Sequence, residues 1–371
     1  MRMNWVKSDK VKKGLVILMV SVAMLLLVDY LAGYTILKHI PVSSRNNAER
    51  GVRIKYPVYR HTLAANYDGF ARASNKSEYR FCTNNDGLKV KCGAISHDKS
   101  YDIGFLGDSF TEGVSLPYEK TFVGLIAEKL PEKKIANLAV ASYSPTIYYL
   151  KLVDFLNKGY QFKELVVYID ISDIRDEANY AMVGGRVITT FNKAKSDTNT
   201  NDKMFPLLNF GLKGLKNRFR STVDTDPHME YLDLNDRVYS RHISNGAWTF
   251  DANDAGYGKL GVSGSIKKSI AMMEKLYEVC KKNNIKLSVG VYPWPSQILY
   301  DVEESKQVKI WRDFCVNKCA NFYNSFPTFF ELVRSSDQKA VIGNYFIYGD
   351  VHFNERGSQL IAADFFKTYK P

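Results

Sequence analysis

From Tyr101 onward the chain alternates short apolar runs with segments of helical spacing, and this rhythm restricts the fold more than any other feature. Residues 101–106 form a short apolar run bounded by Gly107, the pattern of a buried strand. Phe122, Leu125, Ile126 and Leu130 then recur at helical spacing across 118–130. Residues 134–140 read as a strand, 146–156 as a helix and 164–171 as a third strand. A stretch from 178 to 262, rich in Asn, Asp, Gly, Lys and Thr, interrupts the rhythm; its one amphipathic candidate is 205–219. The alternation resumes with a helix over 263–283, capped by Ser263 or Ser265. A strand at 285–292, a helix at 308–319, a short strand at 320–324 and a final helix at 355–369 follow. Strands separated by helices pair in parallel and need both faces covered. The expected fold is therefore α/β, three layers α/β/α around a central parallel sheet.

Upstream of this domain, residues 14–37 carry one charge, Asp29, and a dense apolar centre. A helix of that length crosses a hydrocarbon core of about 30 Å. Arg2, Lys7, Lys10, Lys12 and Lys13 precede it against Asp9 alone, which keeps that end in the cytoplasm. A cleaved signal peptide fits less well, because the apolar stretch is long and lacks a clear small-x-small site. The expected layout is a cytoplasmic basic tail at 1–13 and one N-terminal transmembrane helix at 14–37. A connector with a small irregular or β element at 38–100 leads to the main domain at 101–371, with its insertion at 178–262. That domain is expected outside the cytoplasm, periplasmic or at the cell surface.

Composition narrows the function classes. With 45% hydrophobic and 13% aromatic residues the chain buries a large core, which excludes disorder as its main state. The net charge of +12 is spread without a run of five like charges beyond the N-terminal cluster, so no nucleic-acid partner is expected. Of the 5 cysteines, Cys82 and Cys92 bracket a turn-rich segment, Cys315 and Cys319 are one helical turn apart, and Cys280 ends a helix. No Cys-x-x-Cys pair or nearby His supports a metal site, so disulfides or buried thiols are expected and at least one thiol stays unpaired.

Two motifs carry chemistry. Gly107-Asp108-Ser109-Phe110-Thr111-Glu112-Gly113 directly follows the first strand, where open α/β sheets hold ligands. For the tripeptide alone, a Ser or Asp serving as helix cap in an ordinary βα turn is the better reading. Gly349-Asp350-Val351-His352 precedes the last helix; in an extended segment residues i and i+2 share a face, so Asp350 and His352 can pair. A serine hydroxyl needs such a base, and the base needs an orienting carboxylate. His39, His61, His97, His228 and His242 lie at the anchor, before the core or in the insertion.

Together the two motifs resemble the SGNH (GDSL-type) hydrolase family, over roughly 101–178 and 285–371. The resemblance implies a flavodoxin-like fold and an acyl-serine mechanism. Ser109, Asp350 and His352 would be catalytic, with Ser109, Ser142 and Ser172 at the oxyanion hole. The family's second block carries two glycines; here Asn137-Leu-Ala139-Val-Ala-Ser142 replaces both, and a Ser142 amide can still donate. In the third block Ser172 stands where the family has Asn. The spacing Asp350-x-His352 is shorter than the common Asp-x-x-His and looks like the bacterial branch that includes alginate O-acetylation proteins. Asp108 and Asp173, beside these motifs, and Trp294 and Gln297, after the strand at 285–292, are expected to bind substrate. Trp294 would be a sugar-stacking platform, the more frequent alternative for such a Trp being core packing, and Gln297 a hydroxyl reader.

The function expected is an acyl-ester hydrolase or O-acyltransferase acting on acyl, chiefly acetyl, esters of a cell-surface polysaccharide. The mechanism requires no cofactor or metal. Partners are that polysaccharide or another acyl ester, the lipid bilayer and, for transfer, a membrane acyl donor. The rival reading is a non-catalytic glycan-binding or assembly protein that keeps the fold.

Overall fold

The computed structural model describes residues 12–22, 24, 25, 28, 52–72, 78–94, 99–184, 186–189, 246–251 and 256–370. Residues 48–190 and 230–371 form one compact unit, and 1–47 with 191–229 form another. Within the second unit, residues 12–22, 24, 25 and 28 are helical with exposed side chains. Among the described residues no helix is long and apolar enough to cross a membrane. The rest of the apolar stretch at 14–37, and the helix expected at 205–219, lie outside the described residues.

The larger unit begins with antiparallel strands. β1 (Arg53–Tyr56) pairs with β2 (Arg60–Leu63), and β3 (Asp68–Arg72), β4 (Glu78–Thr83) and β5 (Lys89–Val90) form a second small sheet. The segment read as a connector thus has ordered structure from β1 onward. Its Tyr59, Leu63, Phe81 and Leu88 join the same apolar cluster as the central sheet.

The chain then runs through β6 (Ser100–Leu106), α1 (Ser109–Glu112), α2 (Phe122–Lys129), β7 (Ile135–Asn137), α3 (Pro145–Asn157), β8 (Gln161–Tyr168) and α4 (Asp173–Asn179). A hairpin of β9 (Tyr180–Val183) and β10 (Arg186–Thr189) opens the insertion. After it come α5 (Gly261–Lys282), β11 (Lys286–Val291), α6 (Pro295–Tyr300), α7 (Lys306–Cys315), β12 (Phe322–Asn324), α8 (Phe326–Ser335), α9 (Gln338–Tyr345) and α10 (Glu355–Thr368). The long helix starts at Gly261, and neither Ser263 nor Ser265 caps it. Leu260 is the N-cap, and Ser265 Oγ donates to the Gly261 carbonyl at 2.7 Å.

The central sheet has the order β12-β11-β8-β6-β7, every pair parallel. Counting only its own strands, this is 2-1-3-4-5, the flavodoxin-like order. Helix α2 packs on α10, while α5 packs on α3 and α4, so two helical groups sandwich the sheet. Phe105, Leu106, Val166, Val167, Val289 and Val291 are fully buried between them. Each such side chain contributes about 1.5–3 kcal/mol. The order reverses between β6 and β8, which opens a crevice at their carboxyl ends.

Cys82 is bonded to Cys92 and Cys315 to Cys319, leaving Cys280 free and buried. The Cys82–Cys92 bond closes a loop with a sequence separation of 10 residues. Cys82→Ser is expected to lower unfolding free energy by about 2–3 kcal/mol on loop-closure grounds, as read by urea denaturation.

Candidate active site

Ser109 stands at the crevice because the chain must turn sharply from β6 into α1. A Cβ on Gly107 would come within 2.1 Å of Thr111 Oγ1, and Gly113 ends α1 at φ 74°. Asp108 caps α1, its Oδ1 accepting from the Phe110 amide at 3.0 Å.

His352 comes from the opposite end of the sequence, on a tight turn before α10. The Ile347 amide donates to the His352 carbonyl at 2.9 Å, and the Asp350 amide donates to the Ile347 carbonyl at 3.0 Å. Asp350 Oδ1 accepts from the Val351 amide at 2.7 Å and lies 2.9 Å from His352 Nδ1. On the far side of the ring, His352 Nε2 lies 2.8 Å from Ser109 Oγ. An ionised carboxylate only accepts, so Nδ1 carries the proton and Nε2 is left to accept from the serine hydroxyl. The Phe110 ring, 4.8 Å from the imidazole, walls the site. Burial lowers the His352 pKa, but Asp350, then Asp108 and Asp170, outweigh it and hold it above 6.5.

Below the serine lie three buried carboxyls. Oxygens of Asp108, Asp170 and Asp173 fall within 4.8 Å of one another. Burial, and then their mutual repulsion, push Asp108 and Asp173 well above the usual carboxylate range; burial alone does so for Asp170. Protein donors hold the cluster. The Ser172 amide donates to Asp170 at 2.5 Å and the Trp294 indole N–H donates to Asp170, while Asp108 Oδ2 lies 3.2 Å from Ser109 Oγ, whose one proton is shared with His352. The Tyr148 hydroxyl donates to Asp173 at 2.8 Å.

This arrangement corrects the expected substrate contacts. Asp108, Asp173, Trp294 and Gln297 are all buried, at 3%, 0%, 4% and 0% exposure, so none presents a face to a sugar. Trp294 stacks on Phe110 and spends its N–H on Asp170. The Gln297 side chain accepts from the Trp294 amide at 3.1 Å and donates to Gln307 at 3.0 Å. Ser172 is only partly buried; it precedes α4 with helical backbone angles, its amide donating to Asp170 at 2.5 Å and its side chain facing the same carboxyl.

Ser142 is placed differently. Its backbone has φ 62°, the left-handed region in which glycine is the usual residue. Glu112 accepts from the Ala141 amide at 2.7 Å, His61 Nε2 donates to the Ala141 carbonyl at 2.8 Å, and the Tyr180 hydroxyl donates to the Ser142 carbonyl. Those bonds fix the peptide, and the Ser142 amide has no acceptor among the described residues. A fixed, unspent N–H is what an oxyanion needs. Ser142→Gly preserves amide and backbone angle and is expected to keep turnover. Ser142→Val, a β-branched residue at positive φ, should cost about 1–3 kcal/mol in a melting experiment and lower turnover.

Sequence reasoning missed the supports. Arg53 donates to both oxygens of the fully buried Glu112, at 2.6 and 2.7 Å, tying β1 to the turn that carries Ser109. His61 buttresses the Ser142 loop, and burial pushes its pKa down to about 4. Glu177 receives Ser144 Oγ and the Thr146 amide, both at 2.6 Å, at the start of α3. These pairs join distant segments, and no local spacing signals them.

No protein-family model matches the chain, and no curated protein matches it in sequence. Among solved structures it is similar to a lipolytic G-D-S-L family member from Veillonella parvula. That match has 12% identity, covers 72% of this chain and 96% of the other, and has a TM-score of 0.39. A catalytic mutant of an acetylxylan esterase from Geobacillus stearothermophilus matches at 10% identity, covering 75% and 94% of the two chains, with a TM-score of 0.39. A psychrotrophic esterase from a Pseudoalteromonas species matches at 12% identity, covering 73% and 96%, with a TM-score of 0.35.

Proposed function

We propose that this chain is an SGNH-type serine esterase or O-acyltransferase acting on acyl, chiefly acetyl, esters of an extracytoplasmic glycan. One observation carries the reading: the Ser109 hydroxyl, the His352 imidazole and the Asp350 carboxylate stand in sequence at 2.8 and 2.9 Å. His352 takes the serine proton as Oγ attacks the ester carbonyl. The amides of Ser109 and Ser142 hold the oxyanion, and the imidazolium returns its proton to the departing sugar hydroxyl. Water, or a second sugar hydroxyl activated by the same His352, then removes the acyl group from Oγ. Which nucleophile arrives separates hydrolysis from transfer, and a membrane acyl donor would supply the group in the second case.

The anchor at 14–37 belongs to the proposal. It is supported by the basic cluster before it and by the exposed apolar side chains of its described helical part, Leu15 to Val20 among them. The two disulfides agree with an oxidising compartment.

A fluorophosphonate probe tests the chemistry directly. Labelling is expected in the full chain and absent after Ser109→Ala; an unlabelled wild-type protein would favour the non-catalytic glycan-binding alternative. A reporter fused after Pro371 is expected to be active only outside the cytoplasm.

A further inference from the structure

The β1–β2 hairpin does more than brace the nucleophile turn. Between it and the loop after β7 lies an open cavity of about 560 Å³, lined by Arg53, Lys55, Arg60, His61 and Ser142. It therefore shares with the candidate oxyanion hole the residue whose amide is unspent. Of the six non-glycine residues at positive φ among the described residues, three are Asn, which tolerates that region; of the other three, Arg60 at 73° and Ser142 at 62° both line this cavity. Held backbone of this kind clusters at binding and catalytic sites.

The charges on the wall are unequal in kind. Arg53 is closed off by its paired bonds to Glu112, whose carboxyl stays ionised because Arg53 and Lys89 outweigh the effect of burial. His61, with its pKa depressed by burial, is neutral at pH 7 and spends its N–H on Ala141. Among the described residues Arg60 forms no ion pair: it donates to the neutral Tyr180 hydroxyl at 3.2 Å and stands over that ring. Burial and then Asp108 push the nearby Asp176 carboxyl up to about 8, against the opposing pull of Arg60 itself. Lys55 is exposed and forms no ion pair among the described residues. Arg60 and Lys55 thus face one cavity, and neither forms an ion pair among the described residues.

We infer that this cavity is a subsite for an oxyanion, carboxylate or phosphate, carried by the substrate, with Arg60 and Lys55 as its ligands. The inference rests on the esterase reading for the identity of that substrate, which becomes an acidic glycan ester rather than a neutral one. Arg60 offers a planar fork suited to two oxygens, and Lys55 adds a movable point charge. An anion held there lies beside Ser142 and would fix which acyl group along the glycan reaches Ser109.

The test is binding of unacylated tetrasaccharides to the full chain, read by calorimetry so that no turnover is needed. One probe bears glucuronate, a second of equal length bears a phosphodiester, and a third is neutral. At least one acidic probe should bind about tenfold tighter than the neutral one near 0.05 M salt, and that advantage should shrink near 0.3 M. Whichever acidic probe binds tighter names the source of the oxyanion. The advantage should vanish in Lys55→Gln/Arg60→Gln and fall part-way in Lys55→Gln alone, where an exposed side chain is changed and folding is not at stake. Equal binding of all three probes, or an acidic advantage that survives both the salt and the double substitution, would overturn the subsite. Hydrolysis of p-nitrophenyl acetate by the same protein is measured separately. No hydrolysis beside an intact acidic preference sinks the esterase reading alone; hydrolysis without the preference sinks the subsite alone.

Discussion

Ser109→Ala and His352→Ala are each expected to cut acyl-ester turnover by roughly 10⁴-fold or more, and the double variant should be little worse than either. The reason is geometric. Ser109 Oγ and His352 Nε2 share one hydrogen bond of 2.8 Å, so removing either end leaves the other without a partner in proton transfer. Losses from such a unit do not add, because the second substitution removes a group that has already stopped contributing. The variants differ in stability. Ser109→Ala deletes a single oxygen. His352→Ala strips the buried Asp350 of its imidazole partner and leaves the Val351 amide as the bond seen at Oδ1, a loss of about 1–3 kcal/mol. Turnover must therefore be normalised to the folded fraction from melting curves. Independent, additive losses, or full activity without His352, would remove the mechanism.

Much of this site is visible in the chain because its chemistry sits in two short motifs at the ends of strands. Period and spacing mark β6, β8 and β11, whose apolar runs are long enough to read, and Gly107 and Gly113 flag the turn that exposes Ser109. Other parts are not visible for identifiable reasons. Helices α6 and α8 start at or next to prolines, which read locally as breakers rather than as first-turn residues. The strands of the hairpin from Arg53 to Leu63 are short, so they read as connector, although Tyr59 and Leu63 are core residues. The substrate contacts assigned to Trp294 and Gln297 failed on burial: position at the sheet's carboxyl edge does not say whether a side chain points out or down. The Asp170 carboxyl two residues before Ser172, which takes the Ser172 amide at 2.5 Å, is a neighbour that local spacing does not announce. The Arg53–Glu112 bridge spans 59 residues and leaves no periodic trace at all.

Asp350→Asn separates charge from orientation, and here the expected loss is smaller than a simple tautomer argument gives. Two bonds at this carboxyl use Oδ1: one from the Val351 amide at 2.7 Å, one from His352 Nδ1 at 2.9 Å. The Val351 N–H selects the oxygen of an asparagine for that position, so the amide carbonyl can still accept from Nδ1–H and the productive tautomer survives. What disappears is the negative charge that stabilises the imidazolium during attack. Turnover should then fall by about 10²–10³-fold, short of the roughly 10⁴-fold expected when the tautomer is lost. The pH profile should move as well. His352 works as a base when neutral, and its folded pKa lies above 6.5 because Asp350 leads the contributions that overcome burial. In the wild type the acid limb of kcat/KM therefore has its midpoint above 6.5, and in Asp350→Asn that midpoint should fall. Stability runs the other way. A group whose pKa is raised by folding contributes stability that is fully present below its unfolded value near 6.5 and is lost as pH rises through the folded one. Activity should thus rise with pH across the window in which this contribution to stability declines, and both slopes should flatten or shift downward together in Asp350→Asn. An acid limb unmoved by the substitution would show that Asp350 does not govern the charge on His352.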